Sequence, residues 1–487
     1  MKKIILTLII LFCLPFVAQT AMDEKTVTYA DFSYVQHIAA SMSHVYFATT
    51  NGVTRYNKLE HRWEEPLTSS TGIDHTDIKR IWVDEFDKTL YAATSIDFYE
   101  YDILFDKWFP VPSIPNLDLR YQHVRTPDIM YLPNGFNYSP GDAIIDPEGR
   151  DFQIVDLIDD LSGNMWVATW GYGVGVSTTT SNVVDLLPFG LIQKRVNAIE
   201  NYNGELWVGG ADYGSYRTGL TKFDPEKLEF EQIESGFSAD FPNADITCLE
   251  SDEDNIYVGT DVGLTVISRE NNHILKRISH RYGLNDEYIL SLKKFGDSLF
   301  IGTTSGIGVY SPKTDSVSYF RPDQFKGEYI YDLEKTDSSL WIASTSGAFQ
   351  YNFNTEKLQQ FQDPNLIIFS DAQSIAIYNN YLWLASTSGL VKLDLKTAKN
   401  YGYPMPLYNL TGQSLAVNET IAAIATDNGL KLIYHKNPDK INEVTFDQND
   451  GLPSTKILSV LLDGDFLWIG SDLGLTRFLW NDPHRVD

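Results

Sequence analysis

The sequence predicts an all-β fold: a β-propeller of ten or eleven four-stranded repeats, with two rings favoured over one large ring. Three observations predict it. A short motif recurs about every 40–45 residues, the spacing of a propeller blade. One copy resolves into strand-length runs separated by turn residues. The two ends of the chain carry complementary parts of one repeat.

The motif is an aromatic, an aliphatic, Gly or Ala, and Thr or Ser, followed by Gly and an aliphatic. It reads Tyr257-Val258-Gly259-Thr260 with Gly263-Leu264, and Trp468-Ile469-Gly470-Ser471 with Gly474-Leu475. Close copies start at Tyr46, Phe300, Trp341 and Trp383, and looser ones at Tyr91, Trp166, Trp207 and Ala423. Successive starts lie 40 to 45 residues apart, except for steps of 50 after Trp207 and 75 after Tyr91.

The last copy shows the physics of one unit. Ile457 to Leu462 is an apolar run suited to a buried inner strand. Asp463-Gly464-Asp465 is a turn, and Phe466 to Gly470 a second strand with small residues where sheets approach closely. Ser471 to Gly474 turns again, and Leu475 to Phe478 is a third strand. The copy stops near Trp480 with no room for a fourth strand, whereas Thr26 to Tyr29 is a strand-like run without a unit. The N-terminal strand is therefore expected to close the last blade and remove an exposed edge. Residues 110–160 are the irregular stretch. Ile129 to Phe136 reads either as a degraded eleventh copy or as part of a long inserted loop.

Residues 1–21 read as a signal peptide: Lys2 and Lys3, an apolar run from Ile4 to Val17, then small residues before Asp23. The run is too short for a spanning helix, so residues 22–487 are expected as a periplasmic or secreted propeller with no membrane insertion. Past the signal, Cys248 is the one cysteine, which excludes an intrachain disulfide and reads as a buried, inert thiol. A net charge of −27 argues against nucleic acid and anionic membranes as partners.

The stretch Gly451-Leu452-Pro453-Ser454, with Gly464 to Phe478 after it, resembles the two-component regulator propeller repeat. The resemblance extends, more weakly before residue 200, over nearly all of residues 22–487. It implies an extracytoplasmic sensor-type propeller that binds a ligand or partner, often linked in that family to polysaccharide breakdown. No kinase, later membrane span or trailing immunoglobulin-like domain is read in this chain, so the signalling role is not expected to carry over. The family motif is structural and supplies no catalytic residue.

Catalytic spacing is sparse. There is no His-Glu-x-x-His, Cys-x-x-Cys, Gly-x-Ser-x-Gly or phosphate-binding Gly-Lys-Ser/Thr, and the nine histidines are scattered. No catalytic residue, cofactor or metal is expected. Asp252-Glu253-Asp254 and Asp463-Gly464-Asp465 read as tight turns ahead of Ca²⁺ loops. One cluster stands out. Trp170-Gly171-Tyr172 and Tyr213-Gly214-Ser215-Tyr216-Arg217 replace the plain turn that follows the second strand in other copies. That turn shares a face with the joining loops, including 110–160. Trp170, Tyr172, Tyr213, Tyr216 and Arg217 are thus candidate contacts for a glycan or a protein; the competing reading packs them under the insertion. The alternatives are a polysaccharide lyase or hydrolase, using a Tyr–Arg pair with His75 or His123, and an envelope scaffold.

Overall fold

The computed structural model describes residues 26–481, apart from 74, 85, 87, 118, 134, 140–142, 179–180, 212–216, 237–240, 365–366, 369 and 437–441. The signal peptide, Tyr213 and Tyr216 lie outside the described residues. Within them the chain forms ten antiparallel sheets in succession, nine of four strands and one of six. They span 35–67, 80–111, 137–187, 198–234, 246–278, 289–320, 330–360, 374–404 and 415–446, and the tenth 457–479. All ten motif starts fall on the second strand of a sheet, or its equivalent in sheet three. The described residues of 129–136 form no sheet of their own, so the described residues hold ten repeats.

The motif's residue types now have causes. At its end a Thr or Ser hydroxyl donates to the carbonyl of the following Gly, as from Thr260 to Gly263 (2.7 Å) and Ser471 to Gly474 (3.1 Å). Gly474 sits at φ 139°, and a Cβ there would run into the Tyr29 carbonyl. A Cβ at Gly470 would lie 2.6 Å from the Val196 carbonyl of the neighbouring sheet. The lead aromatic is buried, with Trp207 and Trp383 at 0% exposure. An Asp five or six residues before it accepts from the ring, and at Asp252 and Asp160 from turn amides as well. Asp463 accepts from the Trp468 indole (3.2 Å), Asp252 from the Tyr257 hydroxyl (2.8 Å) and Asp160 from the Trp166 indole (3.2 Å). Asp252 also accepts from the Asp254 and Asn255 amides. The Asp-rich turns are thus hairpin chemistry. Where the residue five before the aromatic is Tyr202, Thr336 or Tyr378, the buried indole of Trp207, Trp341 or Trp383 has no partner.

The innermost strands divide the sheets into two bodies. Those of sheets four to ten touch in turn, and sheet ten returns to sheet four, closing a seven-bladed ring. Seven apolar cores fill its seven seams. The last blade is completed by Val27–Tyr29, paired Val27↔Arg477, Thr28↔Thr476 and Tyr29↔Leu475. Tyr29 is fully buried against Phe223, Phe230 and Trp468. Cys248 is buried in the sheet five–six seam, where burial pushes its thiol up to about 12.

Sheets one to three form an arc, in the spatial order two, one, three. It has two seams. The insertion extends sheet three: Asn137–Ser139 and Ala143–Ile145 form a hairpin on the first part of its inner strand, Asp151–Asp159. Met130, Leu132 and Tyr138 cover the far face of that sheet. Sheet two has no such cover among the described residues, and Phe98 and Phe109 stay exposed.

Candidate functional site

The loop face where sheets one, three and four meet brings together the Trp170–Tyr172 turn, Arg217 and Phe136 of the insertion, while the turn at 212–216 lies outside the described residues. Ser33, just before the first inner strand, accepts through its carbonyl from the Gly171 and Gly173 amides, which fixes the Trp170–Tyr172 turn. Trp170 donates its amide to Gln153 (2.8 Å) and packs edge-on to Tyr34, centroids 5.2 Å apart. Trp170 is 41% exposed, whereas Trp166, the lead aromatic on the strand that runs into this turn, is buried.

Tyr172 lies deeper. Phe136 of the insertion and Phe152 hold its ring edgewise at 5.1 and 5.3 Å, and the Arg217 guanidinium stacks 4.6 Å away. Arg217 is buried. Its Nε and one Nη donate to Glu234, and that Nη also reaches Gln232 (2.8 Å). Burial alone would lower the guanidinium's pKa; Glu234 overrides it and raises it. Glu234 also accepts from Arg150 (2.6 Å), which is tied to Asp146 (2.6 Å). The chain Asp146–Arg150–Glu234–Arg217 therefore joins the arc to the outer strand of sheet four. Arg217 braces Tyr172 from beneath, and of the described candidates Trp170 is the one that presents a ring to solvent. Tyr172 and Arg217 do pack under the insertion.

A cleft of about 580 Å³ lies beside this seam, between arc and ring. Thr50, Asn51, Ser69, His75, Lys194 and Gln448 are among its lining residues. It connects to the aromatic pair through the Thr50 amide, which donates to the Tyr34 carbonyl (3.2 Å). The cleft wall is rich in hydroxyl and amide groups, which can exchange hydrogen bonds with a polar ligand.

A second cluster sits at the inner edge of the arc. His123 Nδ1 meets Asp156 Oδ1 at 2.6 Å, and His37 lies beside them with its ring 4.8 Å from that of His123. One ligand atom from each falls within 4.8 Å of the others. Hydrogen bonding to Asp156 raises the His123 pKa, while burial presses that of His37 down to about 4. His123 thus pairs with Asp156 and His37, while the Tyr172–Arg217 pair is engaged elsewhere, and His75 lines the cleft.

The third cluster lines the axis of the ring. Glu200, Glu250, Lys293 and Glu334 occupy one inner-strand position in four successive sheets, around a cavity of about 190 Å³. Lys293 lies 3.4 Å from Glu250 and 3.2 Å from Glu334, and these carboxylates keep it charged against the effect of burial. Burial, with Glu250 adding to it, pushes the Glu200 carboxyl up to about 7. The segment 411–414 crosses one mouth. Ser374 donates to the Gly412 carbonyl (2.8 Å), the Ile199 amide to the Gln413 side chain (2.9 Å) and the Val460 amide to the Gln413 carbonyl (2.9 Å). Sequence reading missed this cluster. Its signal was there: a charge recurring opposite the lead aromatic in four successive copies, visible once those strands are superposed.

No family model and no curated protein matches the chain. Solved structures do. PorZ, an essential surface component of the type-IX secretion system of Porphyromonas gingivalis, is 15% identical with TM-score 0.50, over 91% of this chain and 68% of that one. The extracellular domain of BT4673 from B. thetaiotaomicron, named as a one-component system, is 14% identical with TM-score 0.47, over 93% and 71%. A streptogramin B lyase is 14% identical with TM-score 0.46, over 59% and 94%. The likeness to PorZ goes no further than the fold, which the succession of ten antiparallel sheets makes a multi-blade propeller. No helix among the described residues is long and apolar enough to cross a membrane.

Proposed function

We propose that the chain is an exported binding propeller of the sensor type, related to the two-component regulator propeller repeats. Its ligand, a glycan or a protein surface, seats on the loop face where arc and ring meet. The observation that carries this reading is Trp170, an exposed indole held edge-on to Tyr34 beside a polar cleft of about 580 Å³. A flat apolar face next to hydroxyl and amide groups suits a sugar ring, and a rigid exposed aromatic equally suits a protein hot spot. Tyr172, braced by Arg217, fixes the turn that carries Trp170. Tyr213 and Tyr216, which precede Arg217 by four residues and one in the sequence, stay candidate contacts on the sequence alone. Export rests on Lys2, Lys3 and the apolar run after them; mass spectrometry of the mature N-terminus tests it.

The reading is tested by screening the protein on a glycan array and titrating the best oligosaccharide into wild type and Trp170→Ala. Binding should weaken about tenfold or more, the loss of an aromatic anchor. Equal affinity would remove Trp170 from the site.

Glu200, near neutrality in the ring axis, is the observation that favours an enzyme. The 411–414 plug and the small cavity count against substrate entry there. Turnover of a uronic-acid polysaccharide by wild type, abolished in Glu200→Gln, would reverse the preference.

A further inference from the structure

The chain contains its own control for the cluster at the arc's inner edge. In most sheets the inner strand carries a bulge, and the residue just after it takes a fixed place in the repeat. That residue is Cys248, Ser291 or Ser459 in the ring, but His37 and Asp156 in the arc. Asp332 is the ring's counterpart of Asp156. Each aspartate makes the same bond to the next sheet: Asp156 Oδ2 accepts from the Ile38 amide (2.8 Å) and Asp332 Oδ2 from the Ile375 amide (2.7 Å). The residue before that amide differs. In the ring it is Ser374, whose hydroxyl lies 3.3 Å from Asp332; in the arc it is His37. The arc thus replaces a hydroxyl by an imidazole, and the insertion adds a second imidazole.

We propose that His37, His123 and Asp156 form a zinc site that clips the insertion to sheets one and three. The three residues are held before any ion arrives. Asp156 is fixed through its other oxygen by the Ile38 amide. His123 is placed by its bridge to Ile158 and by the neighbouring Val124 amide, which donates to the Leu157 carbonyl (3.0 Å). His37 packs against Trp82, and its Nδ1 is buried without a hydrogen-bond partner. A buried ring nitrogen with no partner is costly unless something takes its lone pair.

Two imidazoles and one carboxylate are a zinc donor set with the fourth position open to water, and are too nitrogen-rich for Ca²⁺ or Mg²⁺. Zinc bonds of about 2.0–2.2 Å need donors roughly 3.3 Å apart. The present spread of up to 4.8 Å closes by rotation of His123, whose side chain is 46% exposed. The metal takes the place of the proton between His123 Nδ1 and Asp156 Oδ1, which leaves to solvent. The Ile38 amide keeps its bond to the other Asp156 oxygen and so holds the carboxylate in place. The site stands whether or not Trp170 binds a ligand.

The test uses the full chain stripped of metal. Co²⁺ is titrated first, its visible ligand-field band reporting nitrogen ligation, and Zn²⁺ is then added to displace it. Zn²⁺ binding is measured directly by calorimetry. Wild type should bind one equivalent of Zn²⁺, which bleaches the Co²⁺ band and slows proteolysis between residues 112 and 136. His37→Ser, which copies the Ser374 arrangement and so keeps the fold, and His123→Ala, at a half-exposed position, should each weaken binding about tenfold or more. An unchanged circular dichroism spectrum verifies folding of both. No Co²⁺ band in wild type, or Zn²⁺ bound equally by all three proteins, would overturn the proposal. The second result would mean adventitious binding to the acidic surface.

Discussion

The ring and the arc are built from the same repeat yet differ in how their sheets are finished. In the ring each sheet has a neighbour on both faces, and seven cores serve seven sheets. In the arc three sheets share two seams, and the insertion stands in as a cover for the outer face of sheet three. Exposed large side chains follow the division. In the ring they are mostly tyrosines such as Tyr282, Tyr319 and Tyr329; in the arc they include Phe98, Phe105, Phe109 and Leu104. The closed body reads as scaffold. The open body carries the exposed indole, the insertion and the histidine cluster. A repeat whose faces are all used for packing has little left over for recognition.

The sharpest way to break the comparison is to open the ring. Tyr29→Ala removes the fully buried ring at the closure. It should cost about 3–5 kcal/mol, read as a lower denaturant midpoint. A loss below about 1 kcal/mol would mean the N-terminal strand is not the latch. Next is the link between the bodies. Arg217→Ala leaves the buried Glu234 paired with Arg150 but strips it of its bonds from Arg217, and should cost about 1–3 kcal/mol, the loss of buried hydrogen bonds to a charged group. Tryptophan fluorescence should then show the arc melting before the ring, where wild type gives a single transition. Asp463→Ala unpairs the Trp468 indole and the Asn201 side-chain amide, for about 1–3 kcal/mol within the ring alone.

A pH dependence should separate the bodies further. Glu200 has a folded pKa of about 7, raised by burial above the unfolded value of about 4.3. The folded state therefore prefers the protonated carboxyl. The stability this gives is complete below about pH 4.3 and is lost as pH rises through 7. Glu200→Gln should raise the melting midpoint above pH 7 and leave it unchanged near pH 4.5. The smallest effect is expected at the uncovered sheet. Phe98→Ser with Phe109→Ser should change stability by only about 0.5 kcal/mol while reducing dye binding and self-association.

Much of the scaffold was legible because it is written ten times. Trp468, Ser471 and Gly474 each meet the same demand in copy after copy, and the truncated last copy pointed to Tyr29 as its missing edge. The division into a seven-bladed ring and an arc was not legible, because the period is the same in both and only contacts between inner strands distinguish them. The candidate site was half legible. Trp170 stood out because its turn breaks the repeat, and the insertion was placed on the correct face. That Arg217 braces Tyr172 depends on Glu234 and Arg150, which carry no mark in the sequence. The meeting of His37, His123 and Asp156 depends on two bulges and on the path of an irregular segment, so no spacing rule could find it.

Hydrogen–deuterium exchange read by mass spectrometry tests the central contrast most directly. The inner strands Ile246–Ser251, Ile289–Phe295 and Ile330–Lys335 should exchange only through global unfolding. Arg80–Val83 and Phe98–Asp102 in the arc should exchange orders of magnitude faster through local opening. Equal protection of the two sets would contradict the division into a closed ring and an open arc.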